Sequence, residues 1–308
     1  MTKTATEELA TAYHIAVRTA LGADPHTKLR AIYTSMQLPM PMDVWQTSVL
    51  GFWDRLMRMP VNRLARAAYD AALAAGPSNS FVARVAAAHQ GVHGCPPPSW
   101  VSPARGKSRT ADSMKQAMEA VRLREWREHV ETYAADGCPL YRTMPPPNRA
   151  EYLRLKQHGQ YSEEGFNILV GLRTRGHSLA NAEGQRGKNP TPLEERICPR
   201  CQENGDDSVE DEAHFMVQCP MTAEHRKQMI SDIAAVYGGF SRYYDGASPE
   251  RQTKILLCEI PDGRLPLPAA GGVGDAQARI TATRALLSFL YRAAASHPKL
   301  RMYTRPMS

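Results

Sequence analysis

Apolar residues recur along the first 90 positions at intervals of three and four, the spacing of one face of an α-helix. Leu9, Tyr13, Ala16, Val17 and Ala20 form one stripe, closed by Gly22. Val44, Ser48, Phe52, Leu56 and Met59 form a second. Pro60 must end it, because proline lacks the backbone donor and its ring clashes with the preceding turn. Two shorter helices are predicted in "VNRLARAAYDAALAAG" and "SNSFVARVAAAHQ". Residues 91–110, "GVHGCPPPSWVSPARGKSRT", carry no period and are rich in Pro, Gly and Ser, which predicts a linker. A long helix follows over 111–135, with Met114, Met118, Val121, Val130 and Tyr133 near one face, until "GCPLYRTMPPPNRAEYL" breaks it.

The second half is punctuated in the same way. Ser162 followed by Glu163 and Glu164 is a helix start, with acids suited to the positive end of the helix dipole, and Gly176 follows its end. "MTAEHRKQMISDIAAVYGG" is amphipathic through Met229, Ile233 and Tyr237. Ser248 before Pro249 is an N-cap with an N1 proline. "LPLPAAGGVG" is flexible, and Asp275 opens a last helix that turns Ile280, Leu287 and Leu290 inward. Sustained strand-type alternation is nearly absent. The pattern predicts an all-α protein of helical bundles: a region 1–90, a linker 91–110, a helical domain 111–260, a flexible segment 261–274, and a C-terminal helix and tail over 275–308.

Composition changes this picture little. The 308 residues are 43% hydrophobic and 22% charged, an ordinary globular balance. A net charge of +7 and a pI near 9.1 favour an acidic partner. Glu7 and Glu8 near the start, with no apolar core beside them, argue against a signal or transit peptide. No run approaches ~18 apolar residues, so no membrane partner or span is expected. Cys95, Cys138 and Cys258 are scattered like reduced thiols, which predicts an intracellular, nuclear or cytoplasmic setting.

The remaining three of the six cysteines lie together in "ICPRCQENGDDSVEDEAHFMVQCP", residues 197–220. Cys198 and Cys201 stand at C-x2-C spacing, and His214 and Cys219 follow as H-x4-C. Three thiolates and an imidazole make a closed tetrahedral set, the arrangement of a structural zinc site in a small CCHC knuckle or β-hairpin insert. Such a site has no open position at which to activate water. His225 is a rival for His214, though its place on the following helix disfavours it. Arg196, Arg200 and backbone amides are candidate donors to the sulfurs. The intervening acids Glu203, Asp206, Asp207, Glu210, Asp211 and Glu212 read as a solvated tip that repels phosphate. "GDD" at 205–207 imitates a polymerase metal motif but lacks the apolar flanks of its strands.

"EERICPRC" with "EDEAHFMVQCP" resembles the zinc-binding region that follows the reverse transcriptase domain in LINE-like, non-LTR retrotransposon polyproteins. The upstream "LVGLRTRGHSLANAEGQRG" is similar to that family's preceding block, and "VLGFWDRLMRMPVNRLARAAYD" to the helices between thumb and knuckle. The resemblance spans most of the chain, with specific motifs only in 166–226. It implies zinc ligation by Cys198, Cys201, His214 and Cys219 and a role near template RNA or target DNA. No F/Y-x-D-D polymerase motif is present, and "PDG" at 261–263 lacks a nuclease partner. The chain therefore reads as the non-catalytic tail of such a polyprotein, a fragment or a repurposed gene.

Arg173, Arg175, His177, Arg186, Lys188 and Arg196 crowd the stretch before the knuckle, opposed only by Glu183, Glu194 and Glu195. Guanidinium groups beside a rigid knuckle suit phosphate contact. The structural alternative is that Arg173 and Arg186 pair with acids or cap carbonyls. "ARGKSRT" at 104–110 serves equally as contact arm or solvated linker, and Trp126 and Tyr133 read as core rather than stacking platforms. The expectation is a zinc-stabilised nucleic-acid-binding protein, RNA favoured over DNA, alone or within a ribonucleoprotein. The alternative is an architectural or protein-interaction piece stapled by the zinc.

Overall fold

A computed structural model of the chain describes residues 3–23, 41–76, 81–93, 162–174, 179–184, 189–271 and 273–298, with scattered single positions between these stretches. The described residues are mostly helical, as an all-α protein requires. Strand-type pairing among them is confined to two isolated antiparallel bridges, Ile197–Val209 and Tyr237–Ala269. No described helix is long and apolar enough to cross a membrane.

The chain forms two compact units, Met1–Tyr13 with Pro39–Arg127 and His14–Leu38 with Glu128–Ser308. Helix α1, Lys3–Leu21, contributes to both. The expected linker lies outside the described residues beyond its first three positions, which finish a helix.

The first unit contains α2, Pro41–Arg58, α3, Leu64–Ala74, and α4, Phe81–His93. Pro41 opens α2 at N1, where its missing N–H costs nothing, and the Asp43 carboxylate accepts the Met40 N–H at 3.0 Å. The core joins Leu50, Trp53, Leu56 and Met57 of α2 to Tyr69 of α3 and Val82, Val85 and Ala88 of α4. Trp53 Nε1 donates to the Tyr69 hydroxyl at 2.9 Å, so the buried indole N–H is satisfied.

The stripe predicted for α2 is rotated. Val44 and Phe52 are 41% and 42% exposed, and of the predicted stripe Leu56 is buried in the core and Met59 packs against it. The heavier set Trp45, Val49, Trp53 and Leu56 wins the interior, since the larger rings remove more apolar area from water. In α1, Leu9 is 59% exposed and Ala16 and Ala20 face outward, while Tyr13 and Val17 are half-buried and Leu21 is buried. Trp126 is buried, as expected of a core residue; Tyr133 and 104–110 lie outside the described residues.

The second unit is built on α5, Glu163–Thr174, α6, Ala180–Gly184, α7, Pro199–Gln202, α8, Ala223–Ala234, α9, Phe240–Asp245, α10, Pro249–Lys254, and α11, Asp275–Ala295. Ser162 caps α5 by accepting the Gly165 N–H at 3.0 Å, and Gly176 donates back to Gly171 at 2.9 Å beyond its end. Ser248 caps α10 through the Arg251 N–H. Helix α11 packs on α5 and α8, burying Leu287, Leu290, Met229, Ile233 and, beyond α8, Tyr237.

The α5–α11 approach is close enough to demand glycine. A Cβ at Gly165 would lie 2.2 Å from the Leu287 carbonyl oxygen. Gly165→Ala is expected to cost about 2–3 kcal/mol through backbone displacement, read as a lower urea midpoint with unchanged slope.

Candidate metal centre

Local chain geometry assembles the four ligands from two turns. Cys198 stands at the N-cap of α7, with Pro199 at N1, so one helical turn brings Cys201 round beside it. Gly205, at φ +77°, closes the following turn in the left-handed region that glycine tolerates. The chain then returns past the Ile197–Val209 bridge, where Cys198 N donates to Ser208 O at 2.9 Å and Glu210 N to Arg196 O at 2.8 Å. These two bonds are what becomes of the expected hairpin, because one of its arms is spent on the turn of α7. In the second half, Asp211 Oδ1 accepts the His214 N–H at 2.7 Å and starts a π-turn over His214–Gln218. Cys219 closes that turn by donating to His214 O at 2.6 Å.

Cys201 Sγ consequently lies 3.3 Å from His214 Nε2 and 3.8 Å from Cys219 Sγ. All four ligand atoms fall within 4.8 Å of one another. A tetrahedral zinc ion with sulfur at ~2.3 Å and nitrogen at ~2.0 Å sets S···S near ~3.8 Å and S···N near ~3.5 Å. The thiols are free, and their spacing is far beyond a disulfide bond of about 2.05 Å. Cys198, Cys201 and Cys219 are 1–2% exposed and His214 4%. The donor set therefore fits a closed divalent-metal site. His225 is half-buried on α8 and stands outside the cluster.

The electrostatics of the thiols point the same way. Contact with Cys219, then burial, raises the Cys198 thiol above its ordinary range, and burial pushes Cys201 up to about 11. Contact with Cys198 shifts Cys219 the other way, below its ordinary range, so the three thiols share their protons unevenly; a cation at the centre takes all three as thiolates. Amide donors already face the sulfurs, from Cys201 to Cys198 and from Met221 to Cys219. Arg226, unmarked in the sequence, donates to the Cys219 carbonyl at 3.3 Å and to Thr222 Oγ1 at 3.0 Å. Arg200 is buried but turns to the Met221 carbonyl, and Arg196 turns to the Thr191 carbonyl.

The acidic stretch divides in two. Glu203, Asp206 and Asp207 are exposed, as a solvated tip should be. Glu210 and Glu212 are 1% and 3% exposed, which corrects the solvated reading for both. Glu212 Oε1 meets His177 Nε2 at 2.9 Å. Glu210 Oε1 meets His297 Nε2 at 2.5 Å, and its Oε2 accepts the Ala180 N–H, at the start of α6, at 2.7 Å. Glu210 follows the bridge at Val209 and Glu212 opens the next helical turn, so both carboxylates enter the helical body, while Asp211 between them caps the π-turn. Both sit on buried histidines and so clasp the knuckle to that body.

The basic block fares differently. Arg173 is 2% exposed; its Nη1 donates to Asp262 Oδ1 at 2.9 Å and to the Leu257 carbonyl at 3.0 Å. His177 is buried against Glu212. Both were candidates for phosphate contact, and both are inside the fold, Arg173 on the inward last turn of α5 and His177 beyond its end against Glu212. Arg196 is half-buried and bound to its own loop. Arg175, Arg186 and Lys188 lie outside the described residues.

No family model, curated protein or solved structure matches the chain. The metal centre's reading rests on its own geometry.

Cys258, expected to be an ordinary thiol, is buried, and burial pushes it up to about 12. It is expected to resist alkylation until the fold opens, whereas Cys198, Cys201 and Cys219 should become reactive when a chelator removes metal. Peptide mapping after graded alkylation checks the order.

Proposed function

We propose that the chain is a non-catalytic nucleic-acid-binding module, RNA favoured over DNA, whose C-terminal unit is stapled by a structural zinc ion on Cys198, Cys201, His214 and Cys219. The observation that carries the structural role is the burial of all four ligands, which leaves no open coordination position. Bound there, zinc supplies cross-linking of two turns rather than Lewis-acid chemistry. The similarity of the knuckle to the zinc-binding region of LINE-like reverse transcriptase polyproteins supplies an origin for such a module.

Nucleic-acid binding draws on the net charge of +7 and on where the charges stand. Glu203, Asp206 and Asp207 give the exposed tip the wrong sign for phosphate. In the first unit, Arg55 lies exposed over the Phe52 ring at 5.9 Å, and Arg63 is exposed at the head of α3. The burial of Arg173 and His177 favours a second reading, an architectural or protein-interaction piece.

A gel-shift titration of the zinc-loaded protein with single-stranded RNA, structured RNA and duplex DNA separates the two. Binding should weaken linearly in log affinity against log salt, and Arg175→Ala with Lys188→Ala should lower that slope by roughly one per lost contact at unchanged zinc content. Wild-type protein that retains zinc yet binds none of the three probes at low salt gives the lead to the architectural reading.

A further inference from the structure

Helix α2 carries two apolar faces, and the core of the first unit uses one of them. Leu50, Trp53 and Leu56 are buried. On the opposite side Val44, Ser48 and Phe52 follow at intervals of four, with Arg55 one turn further on, and all four are exposed. Gly51 lies on that outer side, and nothing stands within 4 Å of where its Cβ would be. A glycine inside a helix lowers its stability relative to alanine, and no neighbour in the structure needs the space. Ser48 and Gly51 thus leave a notch bordered by Val44, Phe52 and Arg55. The Phe52 ring beside it is already positioned. Phe81 meets it edge-on at 5.3 Å and 77°, and the Arg55 guanidinium lies over it at 5.9 Å, yet the residue is 42% exposed.

The surroundings are not those of a solvated face. Between Lys28 and Lys107 the sequence has neither lysine nor glutamate, the residues that commonly cover the outside of a helix. The turn after α2 exposes Val61 and, at the head of α3, Leu64. Aromatic residues and arginine, with lysine and glutamate missing, are the composition of a buried protein interface. Charge then selects the partner. Asp43 is held by the Met40 N–H, Asp54 by Arg58 and Asp70 by Arg66, and no described acid pairs with Arg55 or Arg63. Two copies of this face would bring those cations together, and valine and leucine offer a phosphate nothing to bind. What fits is a protein segment both apolar and acidic.

We propose that the outer face of α2 docks an acidic amphipathic helix of a partner protein. The partner's apolar stripe lies along Val44 and Phe52, its backbone comes closest at Ser48 and Gly51, and its carboxylates meet Arg55 and Arg63. The proposal goes beyond the nucleic-acid reading and does not depend on the metal centre. Both readings claim the same two arginines, so RNA is one arm of the test.

The test is fluorescence anisotropy of the full-length protein with a labelled helical peptide of α2's length, leucine at three- and four-residue intervals and glutamate on its flanks. This peptide should bind with micromolar affinity. The same peptide with lysine flanks, or in scrambled order, should bind roughly 10-fold more weakly or worse. Gly51→Gln separates docking from folding. Glutamine is the better helix former, so the melting temperature should rise, yet its side chain fills the notch and binding should fall by roughly 10-fold or more. Phe52→Ser should weaken binding by a similar factor with the helical circular dichroism signal kept, and Arg55→Glu should turn the preference toward the lysine-flanked peptide. Equal binding of the glutamate-flanked and scrambled peptides overturns the proposal, as does Gly51→Gln that binds like wild type. Single-stranded RNA that displaces the peptide and loses affinity in Phe52→Ser and Gly51→Gln overturns it in favour of a nucleic-acid face. A dimer in sedimentation that Gly51→Gln dissociates overturns it in favour of a second copy.

Discussion

Cys201→Ser is expected to empty the metal centre and unfold the C-terminal unit while the first unit stays folded. Zinc knuckles draw their folding free energy from the metal, on the order of 10 kcal/mol or more in zinc-finger peptides, comparable to the whole stability of a typical domain. Here the loss should spread beyond the knuckle. Glu210 and Glu212 would leave His177, His297 and the Ala180 N–H without their partners, all of them buried. The tryptophans make the split measurable: Trp45, Trp53 and Trp126 belong to the first unit, and residues 14–38 and 128–308 contain none. Circular dichroism should lose a large share of its helical signal while tryptophan emission keeps its native wavelength. A variant that loses zinc yet keeps full helicity and wild-type melting would show that the knuckle is an ornament on a self-sufficient bundle.

Arg173→Ala is expected to lower stability by about 3–5 kcal/mol, because it strands the buried Asp262 carboxylate and the Leu257 carbonyl. Arg173→Met, which keeps the stem but not the charge, should be little better, whereas Arg173→Met with Asp262→Leu should recover part of the loss by removing both charges. Urea denaturation followed by circular dichroism reads all three. The salt dependence of RNA binding by the protein that remains folded should not change. A normal urea midpoint together with a salt slope smaller by roughly one would instead return Arg173 to the phosphate-binding face.

Local signals carried much of this structure. The caps at Ser162 and Ser248, the stops at Gly22 and Pro60, and the inward residues Met229, Ile233, Leu287 and Leu290 follow from short-range stereochemistry that any single sequence displays. The four metal ligands were legible for the same reason: two turns of fixed geometry bring them together, and the spacing is the geometry. What the sequence concealed is tertiary. A carboxylate reads as solvated until a histidine 35 residues back or 87 ahead is known to face it, as with Glu212–His177 and Glu210–His297. Arg173 reads as a surface cation until Asp262 appears across the core. Val44 and Phe52 fit a helical stripe as well as Trp53 and Leu50 do; only the neighbouring helices choose between the two faces. Buried ion pairs and face selection depend on contacts distant in the chain, and periodicity does not encode them.

The central claim is a closed metal centre of three sulfurs and one nitrogen, and X-ray absorption at the zinc edge tests it most directly. Protein purified without added metal should carry one zinc per chain. The first coordination shell should fit three sulfurs near ~2.3 Å and one nitrogen near ~2.0 Å, with His214→Ala losing the nitrogen or the metal and His225→Ala losing neither. A shell containing oxygen or water, a nitrogen that survives in His214→Ala but disappears in His225→Ala, or protein that takes up no zinc with all four ligands reduced would contradict the account.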